Sequence, residues 1–304
     1  MRRNFQDLTI KDAFMFAAVM SDENQCRKLL EIVLETKILH VTVITEKTMS
    51  YHPDYQGVRL DVVAEEEGGH RRFNVEMQVK RTPDLAWRSR YYHSQLDMDA
   101  LLSGEVYDAL PDTYVIFICD FAWMPDQLYR YTYEMVCREN GSRLNQGQKT
   151  IFLSTKGRND GEVSKALTDF LRYVGQPESH CDPFVKDGFV AGLERRIQRI
   201  KVSRDWEARF MRLEIELINK WRQGHLEGRE EGLREGRKED RQEGRREGRQ
   251  QVLQETILEL LNARGDIPED VRSEIEAQTD EAVLKRWHMS AAKAKSMEDF
   301  RESM

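Results

Sequence analysis

With 304 residues, 39% of them hydrophobic and 33% charged, the chain can hold one large domain or two smaller ones with a sizeable core, and its charge points to helices that stand in solvent. The net charge of −7 excludes bulk electrostatic capture of nucleic acid, so phosphate binding has to come from a local basic patch. Four scattered cysteines (Cys26, Cys119, Cys137, Cys181) suggest neither a zinc site nor a disulfide framework, and without an apolar leader or membrane-length run the expectation is a soluble, cytoplasmic protein with no membrane partner.

Residues 8–20 and 22–36 read as helices, the first capped by Asp7 or Thr9 and the second by Ser21. A β segment follows over 38–49. Two alternating, β-branched runs then flank Gly68-Gly69, a strong hairpin signal. A helix is expected from Pro83 to about Ser103, stopped by Gly104. Strands are expected over 113–119, 129–137 and 150–154, then an amphipathic helix over 163–174 ending at Gly175. A linker over 177–183 leads into a long charged helix over 184–221.

Beyond it glycine recurs at every fourth position, Gly224, Gly228, Gly232, Gly236, Gly244 and Gly248, with Asp240 in the missing place. On a helix these glycines drift by about 40° per repeat and so do not build one fixed face. Each costs about 1 kcal/mol of helix stability relative to alanine. The tract therefore reads either as a mobile linker or as a helix held by close contact with a partner helix. Short apolar helices around Leu258, Val271 and Leu284 close the chain as a small module that self-association would stabilise.

The hairpin carries the chemistry. A two-residue loop at Gly68-Gly69 sets Asp61 opposite Glu76, with Cβ atoms roughly 5 Å apart. Alternation puts Phe73, Val75 and Met77 on one face and Asn74, Glu76, Gln78 and Lys80 on the other; Leu60, Val62 and Ala64 are expected to share the apolar face. Opposed carboxylates repel unless a cation lies between them, and Mg²⁺ takes carboxylate oxygens together with water and phosphate. Gln78 could orient a water or a phosphate oxygen, and Lys80 could neutralise a phosphate. Arg88, Arg90, Tyr91 and Tyr92 on the following helix mix cations with stacking surfaces suited to nucleic acid, beside a single His93. The bland alternative is a solvated strand face in which Glu76 pairs with Arg59 or Lys80.

The run Arg59-Leu-Asp61-Val, then Asn74-Val-Glu76-Met-Gln78, then the Tyr91-Tyr92-His93 helix resembles the PD-(D/E)XK nuclease superfamily. Within it the chain is similar to the Rpn recombination-promoting nucleases, also called PD-(D/E)XK nuclease family transposases. Leu8-Thr-Ile-Lys-Asp12-Ala-Phe14, Asp169-Phe-Leu-Arg-Tyr173 and the glycine tract share the likeness, which thus covers essentially the full chain. It implies an α/β fold: a restriction-endonuclease-like core of αβββαβ type with a mixed central sheet, followed by a helical C-terminal extension. The corresponding division is a nuclease-like core over 1–176, a linker and charged helix over 177–222, the glycine repeat over 223–250 and a helical module over 251–304.

The same likeness implies a Mg²⁺- or Mn²⁺-dependent DNA endonuclease linked to recombination or mobile elements. Its first motif acid falls on Asp61 and its second on Glu76, the two metal ligands. Gln78 stands where lysine is common, which leaves Lys80 as another source of the cation. Asp12 and Glu31 are the candidates for a further acid on the first helices. Two alternatives stay open: a noncatalytic DNA-binding or assembly module, and an RNA nuclease using the same chemistry.

Overall fold

The computed structural model describes residues 4–49, 58–177 and 188–304. The chain divides into two compact units, Met1–Ile215 and Glu216–Met304. The first is built on one six-stranded mixed sheet. Its strands are β1 (Val41–Met49), β2 (Val58–Glu66), β3 (Arg71–Gln78), β4 (Asp112–Cys119), β5 (Arg130–Tyr133) and β6 (Gln148–Ser154), in the spatial order β1-β2-β3-β4-β6-β5. β3, β4 and β6 run parallel, and antiparallel neighbours lie on both sides.

Helix α3 (Leu85–Ala100) carries the chain from β3 to the parallel β4. On the other face lie α1 (Ala13–Met20), α2 (Glu23–Leu34), α4 (Lys165–Gly175) and α5 (Phe189–Lys201). The parallel strands are buried on both faces, so β4 reads as a continuous apolar run from Val115 to Cys119. One cluster joins Phe73, Val75 and Met77 to α1, α2, α4 and α5; the other joins Val63, Val115 and Phe117 to Leu85, Tyr92 and Leu96 of α3.

Several local details differ from the sequence expectation for identifiable reasons. Asp22, not Ser21, caps α2, because its carboxylate accepts the Asn24 and Gln25 amides. β5 stops at Tyr133 instead of continuing to residue 137, since beyond it only a single bridge, Val136 to Arg143, closes the loop. The expected linker over 177–183 and the start of the helix at residue 184 lie almost wholly outside the described residues. From Gly188 onward the expected single charged helix is two, α5 and α6 (Arg204–Asn262). They part at Val202-Ser203, where the Ser203 carbonyl accepts the Glu207 amide and starts a new helix.

The core of the first unit extends past residue 176. Leu193, Ile197 and Ile200 of α5 and Phe210 of α6 are buried in the first cluster. The Phe210 ring lies tilted 5.6 Å from that of Phe5 and meets that of Phe14 edge-on at 5.3 Å, so Phe5 and Phe14 are fastened by a helix from the far side of the sequence.

The glycine tract over 223–250 is helical throughout as part of α6, and most of its residues are exposed. A Cβ built on any of its six glycines meets no heavy atom within 4 Å. In the second unit the end of α6 joins α7 (Glu269–Ala277), α8 (Glu281–Lys293) and α9 (Met297–Arg301) around Ile257, Leu261, Ile275, Leu284, Trp287 and Phe300. Among the described residues no helix is long and apolar enough to cross a membrane.

Phe210→Ala should lower the stability of the first unit by about 3 kcal/mol, the usual cost of truncating a buried phenylalanine. Urea unfolding followed through the neighbouring Trp206 measures it.

Candidate active site

The Gly68-Gly69 turn sets the register of the hairpin. Both glycines have positive φ (94° and 71°), a backbone conformation that a side chain would strain. From this turn the ladder runs Glu65 to Arg72, Ala64 to Phe73, Val63 to Asn74 and Val62 to Val75. One step further would pair Asp61 with Glu76, as expected from sequence, but there main-chain pairing stops. The Asp61 amide instead donates to Glu76 Oε1 at 3.1 Å, and the Met77 amide donates to Asp61 Oδ2 at 3.1 Å. Each carboxylate takes the place of a carbonyl on the opposite strand. Buried amides must find acceptors, so neither acid can turn away without orphaning one.

Asp61 sits at a fork on its other side as well. β1 and β2 pair in one register on both sides of Glu46 and Asp61, but those two residues do not pair. Glu46 has φ of 53°, an uncommon conformation for a residue with a side chain. The apolar side chains change sides across this point. Val62 and Ala64 join the cluster under α1 and α2, whereas Val58, Leu60 and Met49 join the cluster under α3. The expectation that Leu60 shares a face with Val62 and Ala64 therefore fails, because the β1–β2 ribbon turns over at the acid.

Glu76 is 2% exposed and Asp61 is half-buried. Burial, and after it the charge of Asp61, pushes the Glu76 carboxyl well above the usual carboxylate range. Burial also raises Asp61, though less. The amides and Arg88 offset only part of this.

Arg88 is the basic residue that meets the acids. Its Nη2 lies 3.4 Å from Glu76 Oε2, and its Nη1 donates to Gln78 Oε1 at 3.3 Å. Nε and Nη2 both donate to the Tyr92 hydroxyl, at 3.0 and 2.9 Å. The guanidinium also lies over the Tyr92 and Phe117 rings, 5.4 and 5.8 Å from their centroids. Beyond Phe117 the stack continues through Phe152 to Trp123, with Arg81 over the last ring. Phe152 of β6 sits between Phe117 and Trp123 of the β4 region, so no local spacing reveals the row.

The other sequence candidates separate. Gln78 ends β3 beside the acids, but Lys80 does not continue its row: the strand ends at Gln78, and Lys80 lies in an exposed bend. Arg88 and Tyr92 face the sheet, whereas Arg90 and Tyr91 face outward on α3. Arg59 pairs with Glu46 and not with Glu76. His93 is buried, its ring nitrogens meeting the hydroxyls of Thr113 and Thr150 at 2.8 and 3.1 Å, and burial pushes its pKa down to about 4. It fastens α3 to β4 and β6 as a neutral group. Asp12 accepts the Thr9 amide before α1, and Glu31 pairs with Arg27 and accepts the Ile38 amide.

Asp61 and Glu76 are hard oxygen donors, fixed in place and short of positive charge, which fits a divalent cation. Among the described residues no group of three or more His, Cys, Asp or Glu could hold a metal, so these acids fit an ion that takes its remaining ligands from water and phosphate.

A carboxyl raised on folding favours the folded state below its unfolded pKa, and that contribution is lost as pH rises through the folded value. Asp61→Asn keeps an oxygen for the Met77 amide and removes the charge facing Glu76. Metal-free Asp61→Asn should therefore melt about 2 °C or more above the wild type at pH 8. At pH 5, where Glu76 holds its proton in both proteins, the gap should close. Calorimetry in EDTA at the two pH values reads the difference.

The model of one protein family, described as PD-(D/E)XK nuclease family transposase, matches residues 11–174, more than half of the chain, and spans Asp61, Glu76, Gln78 and Arg88. Comparisons with curated proteins and with solved structures each found no match. The sheet with its helices, the acids at the fork of β2 and β3, and this match agree: the chain belongs to the PD-(D/E)XK nuclease family transposases.

Proposed function

We propose that the protein is a DNA endonuclease that hydrolyses phosphodiester bonds with Mg²⁺ or Mn²⁺ held by Asp61 and Glu76, in the service of recombination or of mobile elements. The carrying observation is the reciprocal pair of bonds by which each acid accepts an amide of the other's strand, at 3.1 Å in both directions. Such a lock holds two like charges in place where folding alone would separate them. The family match supports a nuclease. A divalent cation, when bound, supplies Lewis-acid activation of water and neutralises charge developing on the phosphate.

The protein's share of the reaction is positioning. Asp61 and Glu76 hold their oxygens at the mouth of the β2–β3 fork, and the Tyr92 hydroxyl keeps the Arg88 guanidinium beside them. In the hydrolysis a water oxygen bonds to phosphorus, the P–O ester bond breaks, and the departing oxygen takes a proton. The chain is acidic overall, so its grip on DNA rests on local cations.

Plasmid DNA and RNA incubated with Mg²⁺, Mn²⁺ or EDTA test the proposal. Metal-dependent nicking of DNA that falls at least about 100-fold in both Asp61→Ala and Glu76→Ala is the expected result. Equal cleavage by all three proteins removes the site assignment. Cleavage of RNA alone changes the substrate, and DNA binding without any cleavage leaves an assembly module.

We also propose that a second copy of the chain packs along α6. A helix carrying six glycines and many exposed charges is marginal alone in water. Leu226 and Leu233, more than half exposed on α6, supply apolar contacts for a partner helix. A chain ending at residue 222 should show a lower oligomeric mass in light scattering; an unchanged mass removes this part.

A further inference from the structure

We infer that Arg88 is the residue that brings positive charge to the scissile phosphate, and that Gln78 is its positioning residue. This rests on the nuclease reading and names the role of two side chains within that site. Arg88 is set up from one side. Its inner edge is held by two bonds to the Tyr92 hydroxyl, and its plane lies over Tyr92 and Phe117, which stack on each other at 6.2 Å. Its outer edge meets the site loosely, at 3.3 Å to Gln78 and 3.4 Å to Glu76.

Bonds between a guanidinium and a carboxylate usually close to about 2.7–2.9 Å, so the outer edge is underused. A phosphate oxygen arriving beside the acids would find planar donors already aimed at it. Gln78 accepts on Nη1 without competing as a charge, so it steers the fork toward the acids and leaves its charge available. Among the described residues several cations of this end of the sheet are committed elsewhere or exposed, Arg81 over the Trp123 ring among them. Arg59 pairs with Glu46, and Lys11 and Lys156 pair with Asp120 at 2.7 and 3.1 Å. Lys80 is exposed beyond the strand end. In a half-buried site such a charge acts more strongly on the developing phosphate charge than it would in water.

The competing role for Arg88 is that of a counter-ion for Glu76 and nothing more. Binding of a short fluorescent DNA duplex in EDTA, by anisotropy, separates the two. Arg88→Ala should weaken binding about tenfold and lower the salt dependence by about one phosphate contact. In Glu76→Gln the carboxylate charge is gone and no counter-ion is needed. Glu76→Gln/Arg88→Ala should still bind about tenfold more weakly than Glu76→Gln, and equal binding by those two overturns the inference. This pair also serves if Arg88→Ala alone fails to fold, since it removes the Glu76 charge together with the guanidinium that meets it.

Cleavage supplies the second readout. Arg88→Ala should lower kcat about 100-fold or more. Gln78→Lys/Arg88→Ala, which puts an ammonium at the end of β3, should regain at least tenfold over Arg88→Ala; no gain overturns the placement. If the wild type cleaves DNA with neither Mg²⁺ nor Mn²⁺, the nuclease reading falls, and the binding comparison alone decides whether Arg88 meets phosphate.

Discussion

Two side-chain hydrogen bonds organise the first unit. Where β2 and β3 part, the amides of Asp61 and Met77 would be left without acceptors, and the carboxylates of Glu76 and Asp61 supply them. An unpaired buried amide costs about as much as a lost hydrogen bond, so the sheet can open there only because the acids are present. The acids in turn stay close despite their charge because the amides hold them. Burial raises both pKa values, and the charge of Asp61 adds to that of Glu76, an unfavourable electrostatic state that a bound cation would relieve.

The remaining parts of the first unit make that fork reliable. α3 crosses from β3 to β4 and is fixed from within by His93 on two threonine hydroxyls, so its first turns cannot slide. That fixes Tyr92, and Tyr92 fixes Arg88. Behind them Phe117 and Trp123, from β4 and the turn after it, stack on either side of Phe152 from β6 and supply an aromatic floor. On the opposite face the helices bury Phe73, Val75 and Met77, the residues that alternate with Asn74, Glu76 and Gln78 on β3. One strand therefore gives the core one set of alternate residues and the candidate site the other.

The C-terminal unit follows different rules. It encloses Trp287 and Phe300 in a small core of its own, which weakens the argument that such a module needs a partner merely to fold. The proposed self-association rests instead on the exposed glycine-bearing part of α6, where helix propensity is low.

Where chemistry was local, the sequence was legible. Gly68-Gly69 between alternating runs announced the hairpin and its register from Glu65 with Arg72 to Val62 with Val75, one step short of Asp61 and Glu76, because a tight turn limits which residues can face each other. Charged, capped and glycine-punctuated segments likewise announced most helices. Contacts made across the sheet were not legible. Arg88 and Lys80 are both plausible phosphate ligands by spacing, and only the end of β3 at Gln78 and the crossover of α3 decide that one turns inward and the other stays in solvent. The reversal of faces at Glu46 and Asp61 was equally hidden, since a residue with φ of 53° carries no signal in its neighbours' alternation. Sequence determined which residues could do the chemistry; the parting of two strands and the packing of one helix decided which of them meet.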